Sequence, residues 1–121
     1  MAWSFYANSP VYQQIASRIR ADILNGKYPA EEQFPSVRQL ASEAAVNPNT
    51  MQRALSQLEQ DGLLLSKGTA GRFVTEDKEI LKMAKRNAAK ELVLSFKRGC
   101  KQMGFSKDEI IQLLQEEEGI F

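Results

Sequence analysis

The sequence predicts a mainly α protein with one small β-hairpin, on three observations. Two short helices joined by a tight turn fit Phe34 to Gly62, strand-forming runs flank Gly68 and Gly71 directly after them, and helical periodicity resumes from Glu76. A helix pair of this kind followed by a hairpin is a winged helix-turn-helix, expected over residues 1–75, with a two-helix tail over 76–121.

Taken in order, Trp3, Phe5 and Tyr6 partly alternate and are expected to lie extended against the domain as packing residues. Ser9-Pro10 supplies a cap and a proline at a helix start, and Tyr12, Ile15, Ala16, Ile19 and Ile23 recur at helical spacing until Asn25-Gly26. Tyr28-Pro29 cannot continue that helix, so Lys27 to Gln33 reads as a loop. Ser36 and Gln39 form a capping box, and Val37, Leu40, Ala41 and Ala44 give the next helix its apolar face. Asn47-Pro48 then opens a further helix that buries Met51, Ala54, Leu55 and Leu58 and stops at Asp61-Gly62. Leu63 to Ser66 and Arg72 to Thr75 are the two strands, with Lys67 to Gly71 between them.

In the tail, Ile80, Met83, Ala84, Ala88, Leu92, Phe96, Cys100 and Met103 fall mostly three or four apart, and Leu81, Ala89, Val93 and Leu94 widen the stripe. Gly104 ends this long helix. Ser106 and Glu109 form a second capping box, flanked by Phe105 and Ile110, and the last helix presents Ile110, Ile111, Leu113 and Leu114. The stripe is wider than one neighbouring helix covers, so a two-fold dimer is expected through Met83, Leu92, Phe96, Cys100, Ile110 and Leu114. A monomer whose tail folds back on the first helix is the competing arrangement. A small effector between helices near Phe96, Cys100 or Met103 is a weaker expectation than packing alone.

Composition narrows the function. The 121 residues are 43% hydrophobic and 26% charged, as in a soluble globular protein. There is no histidine and one cysteine, so neither a disulfide nor a thiolate and imidazole metal cage is built within the chain, and no cofactor is expected. No apolar run nears the ~20 residues a membrane span needs. The opening MAWSFYANSP is not that of a secretory signal, which leads to a cytoplasmic expectation. Catalysis is not expected: general-base histidine, phosphate loop and nucleophile elbow are all lacking.

The outer face of the helix after Asn47 carries Asn49, Gln52, Arg53 and Ser56. Amide and guanidinium groups read base edges in a major groove, so this is the expected recognition helix, with Lys67 and Arg72 on the wing near phosphates or the minor groove. The net charge of +1 is low for a nucleic-acid binder, and residues 1–75 hold seven Lys/Arg against six Asp/Glu. Any basic footprint must therefore come from placement. The same balance keeps open a winged helix that binds another protein without reading DNA sequence.

These segments carry a family resemblance. SPVYQQIASRIRADILNGKY, FPSVRQLASEAAVNPNTMQRALSQLEQDGLL, GRFV and GFSKDEIIQLL are similar to the GntR superfamily of bacterial transcription regulators, most closely its short YtrA-like branch. The resemblance spans nearly the whole chain. It implies a cytoplasmic homodimer on a double-stranded DNA operator, usually a repressor and often of a transporter operon. Among matched positions it implies DNA contacts for Ser36, Arg38, Asn47, Asn49, Thr50, Gln52 and Arg53, with Gly71 as the wing glycine. Pro48 stands where many members carry a basic residue, which moves base reading onto Asn49, Gln52 and Arg53. The wing KGTAGRFV also departs from the commoner GxGTFV.

Overall fold

A computed structural model describes residues 2–119. The elements run α1 (Val11–Leu24), α2 (Val37–Ala44), α3 (Pro48–Gln60), β1 (Leu64–Ser66), β2 (Arg72–Val74), α4 (Lys78–Gln102) and α5 (Lys107–Glu116), with a single 3-10 turn at Gly68–Ala70. β1 and β2 are antiparallel, with Leu64 opposite Val74, Leu65 opposite Phe73 and Ser66 opposite Arg72. Mainly α with one hairpin is thus the observed architecture, and the helix-turn-helix, wing and two tail helices stand in the expected order.

The chain forms two units, Met1–Ala84 and Lys85–Phe121. In the first, α1 and α2 pack on α3, and Ile15, Ile19, Leu40, Met51, Leu55, Leu58, Leu63 and Leu64 are fully buried. Each such side chain contributes about 1.5–3 kcal/mol by leaving water. Trp3 joins this core as expected, its backbone N–H donating to the Ala44 carbonyl at 3.2 Å, whereas Tyr6 is exposed. Buried Thr75 is satisfied: its N–H reaches the Leu63 carbonyl at 2.9 Å and its Oγ1 accepts from the Asp77 N–H at 3.1 Å.

The unit continues past Thr75 because Ile80, Leu81 and Ala84, on the first turns of α4, pack against the same core. Helical periodicity runs unbroken through this point, so it carries no mark of the change in surroundings. Asp77 starts α4, its Oδ1 accepting from the N–H groups of Glu79 and Ile80 at 2.9 and 3.3 Å.

The capping boxes of α2 and α5 are both formed, and Asn47 caps α3 through its Oδ1. The expected Ser9 cap on α1 is not. Pro10 occupies the cap position without a side-chain bond, and Gln14 reaches back instead, its Nε2 donating to the carbonyls of Tyr6 and Ser9 at 2.8 and 3.0 Å.

Four helix ends close with the same paired bonds, in which the residue after the left-handed position donates back across the last turn. Lys27 donates to Asp22, Leu63 to Leu58 and Phe105 to Cys100, each following a glycine with positive φ. At the end of α2 the same role falls to Ala45, the one non-glycine with positive φ among the described residues, at 58°, while Val46 donates to Ala41 at 3.0 Å. The tight turn between α2 and α3 therefore holds a strained alanine.

Candidate nucleic-acid interface

Helix α3 is fixed from its inner side. Met51, Ala54, Leu55 and Leu58 are buried, which by helical geometry turns Asn49, Gln52, Arg53 and Ser56 outward, and all four are exposed. Gln52 Nε2 donates to Ser56 Oγ at 3.2 Å, one turn away. Arg53 lays its guanidinium over the ring of Tyr12 on α1, 3.8 Å from the centroid. Thr50 is half-buried at the start of α3, and Arg38 is exposed on α2.

Two predicted contact residues have a local structural task. Ser36 Oγ accepts from the Gln39 N–H at 3.1 Å, and Asn47 Oδ1 accepts from the Asn49 N–H at 2.7 Å. Each oxygen satisfies an otherwise open N–H at a helix start, so these residues set where α2 and α3 begin.

The wing is tied to the body at three points. Phe34 donates its N–H to the Arg72 carbonyl at 2.7 Å, Gln33 Nε2 donates to the Ala70 carbonyl at 2.9 Å, and Arg72 Nε pairs with Glu59 of α3. Gly71 has φ +90°, and a Cβ there would stand 2.6 Å from Gln33 Nε2, so a side chain would be strained and would push on the amide that anchors the wing. Between the wing and the start of α2 lies an open cleft of about 560 Å³, bordered by Ser36, Gln39, Ser66 and Gly71. Lys67 sits on the wing with its Nζ 4.7 Å from the Phe73 ring centroid.

Ion pairing divides the charged residues of this nearly neutral domain. Asp61, Asp22 and Glu59 are matched to Arg20, Lys27 and Arg72. Arg38, Arg53 and Lys67 have no carboxylate partner among the described residues. Arg72, predicted as a wing contact, is the member of the basic set engaged with an acid.

The family model for bacterial regulatory proteins of the gntR family matches residues 11–74, which is α1 through the end of the wing. The chain belongs to the GntR family. It is a transcription regulator with a winged-helix DNA-binding domain, in a family of regulators rather than enzymes. The Bacillus subtilis HTH-type transcriptional regulator YhcF is 32% identical over 108 residues, 89% of each chain. The HTH-type transcriptional repressor YtrA of the same organism is 31% identical over 71 residues, 59% of this chain and 55% of that one. Among solved structures, a GntR family transcriptional regulator from Listeria monocytogenes superposes with a TM-score of 0.82 at 33% identity, covering 94% of this chain and 100% of the other. The DNA-binding domain of AraR in complex with an operator matches 60% of this chain and 93% of its own, with a TM-score of 0.55 at 27% identity. For this GntR chain, no helix among the described residues is long and apolar enough to cross a membrane.

Tyr12, Gln33 and Glu59 escaped the sequence reading. Tyr12 reads only as an apolar position on α1 and Gln33 only as loop, and Arg72 with Glu59 are thirteen residues apart without helical or strand periodicity to link them. The tail residues divide. Leu92, Met103 and Leu114 are strongly exposed, Met83 and Phe96 about half exposed, Cys100 is half-buried, and Ile110 is buried within its own chain.

Proposed function

We propose that this GntR regulator is a homodimeric repressor that reads an inverted-repeat operator with the outer face of α3. The observation that carries the reading is the set Asn49, Gln52 and Arg53, exposed on a helix whose opposite face is locked in the core, with Arg38 on α2 and Lys67 on the wing free of carboxylate partners among the described residues. Asn49, Gln52 and Arg53 read base edges; Arg38, Thr50 and Lys67 set register on phosphates; Ser36 and Asn47 act by fixing the helix starts that approach DNA. Arg72 serves chiefly to hold the wing against α3 through Glu59.

The dimer reading is supported by the second unit. Within it, residues 85–102 of α4 carry six Lys/Arg against one Glu, whereas Lys107 to Glu118 carries one Lys against five acidic residues. A groove of about 500 Å³ along α4 has an apolar floor of Ala89, Val93 and Leu94 and a rim of Arg86, Lys90 and Lys97. An acidic, apolar-faced helix such as α5 of a second copy complements it in both respects. Two chains then present two recognition helices to half-sites roughly one helical turn apart.

The test is a mobility shift on duplex DNA from upstream of the regulator's own gene, at two salt concentrations, with Arg53→Ala alongside. A shift whose affinity falls by about 0.9 log units per tenfold rise in salt for each neutralised phosphate, and that is weakened in Arg53→Ala, is expected. No shift on that DNA and no enrichment from random duplexes would replace this reading with a winged helix that binds protein.

A further inference from the structure

Arg53 is exposed on the outer face of α3, and its guanidinium has an aromatic partner. Its guanidinium carbon lies 3.8 Å from the centroid of the Tyr12 ring, a stacking distance. The ring is itself held: Tyr12 is half-buried on the first turn of α1, packs against the core cluster, and its Oη accepts from Gln13 Nε2 at 3.2 Å. α1 and α3 are joined by the core, with Ile15, Ile19, Met51 and Leu55 all fully buried. The ring under Arg53 is therefore seated against the core that joins α1 and α3.

Stacking and base reading use different parts of a guanidinium. In a parallel stack the π face of a tyrosine meets the flat side of the group, while the N–H donors lie in its plane and point outward from the rim. An arginine stacked this way keeps its hydrogen-bonding fork available and loses rotamer freedom before DNA arrives, so less is lost on binding. Arg38 has no such aromatic partner among the described residues, which fits a contact to phosphate, where geometry matters less.

We propose that Tyr12 is a positioning residue for sequence recognition, holding Arg53 in the orientation in which it reads its base. This rests on the reading that Arg53 contacts a base. The experiment selects binding sites from random duplexes with the wild-type protein, then measures affinity for the selected duplex, for single-base variants of it and for random duplex, using Tyr12→Phe, Tyr12→Leu, Arg53→Ala and Tyr12→Leu/Arg53→Ala. Tyr12→Phe, which keeps the ring, retains the wild-type base preferences. Tyr12→Leu, which keeps apolar bulk without a π face, loses about fivefold on the selected duplex and about as much discrimination at the Arg53 base, with random-duplex affinity and melting temperature unchanged. The double variant discriminates no worse than Arg53→Ala alone, because both remove one coupled interaction.

Wild-type discrimination in Tyr12→Leu would overturn the proposal while leaving Arg53 as the reader. Equal losses on selected and random duplexes would mark Tyr12 as packing and overturn it too. Unchanged base preference in Arg53→Ala would remove the underlying reading and the role of Tyr12 with it.

Discussion

The unit through Ala84 and the unit from Lys85 onward spend their apolar residues in opposite ways. The first buries a continuous cluster from Trp3 to Val74, whereas in the second Ile110 is the one buried hydrophobic among the described residues, and Leu92, Val93, Met103 and Leu114 lie more than half exposed. The first unit has what a folded domain needs within one chain. The second exposes a wide apolar surface with basic and acidic stretches separated along its sequence, which is the feature on which the proposed dimer rests.

If that contrast is right, core and tail substitutions separate stability from assembly. Leu55→Ala, at a fully buried position of α3, is expected to cost about 2–5 kcal/mol in urea unfolding. Leu92→Asp, at a position 74% exposed, is expected to leave the unfolding of the first unit within about 0.5 kcal/mol while abolishing the concentration dependence of thermal melting. A Leu92→Asp protein still melting in a concentration-dependent way would show that the exposed face of α4 does not hold two chains together.

Smaller effects are expected at the helix ends. Ala45→Gly relieves a left-handed alanine in the helix-turn-helix and is expected to raise stability by up to about 1 kcal/mol, measured by the same urea unfolding. Its equivalent in the second unit is already glycine, Gly104, at φ +86°. The α5 cap gives a weaker, pH-dependent signal. The Ser106 N–H, and then its hydroxyl, hold the Glu109 carboxyl below the ordinary glutamate range. A carboxyl depressed on folding stabilises the folded form above its unfolded pKa and loses that contribution as pH falls through the folded value. The amide of Glu109 is thus expected to lose exchange protection in acid, and Ser106→Ala to show no such pH step.

The elements were legible where their signals are local. Capping boxes at Ser36 and Ser106, the Asn47-Pro48 start and glycines 26, 62 and 104 are read within a few residues, and each marks a true helix boundary. The Ser9 cap misled because Gln14 satisfies the same turn from the other side. The extent of the first unit was hidden because α4 serves two surroundings with one unbroken helical pattern. What no local pattern carries is partner choice among exposed side chains: Arg53 over Tyr12, Arg72 on Glu59 and Gln33 on the wing link residues distant in sequence, and only the folded chain brings them together.

The most direct test of the whole account is sedimentation at micromolar concentration, without DNA and with a duplex selected from random sequence. A species of twice the 13.6 kDa chain mass, which binds the duplex as two chains, is the predicted result. A 13.6 kDa monomer that remains one chain per duplex, or does not co-sediment with it, would contradict the pairing of tails on which the reading of an inverted repeat depends.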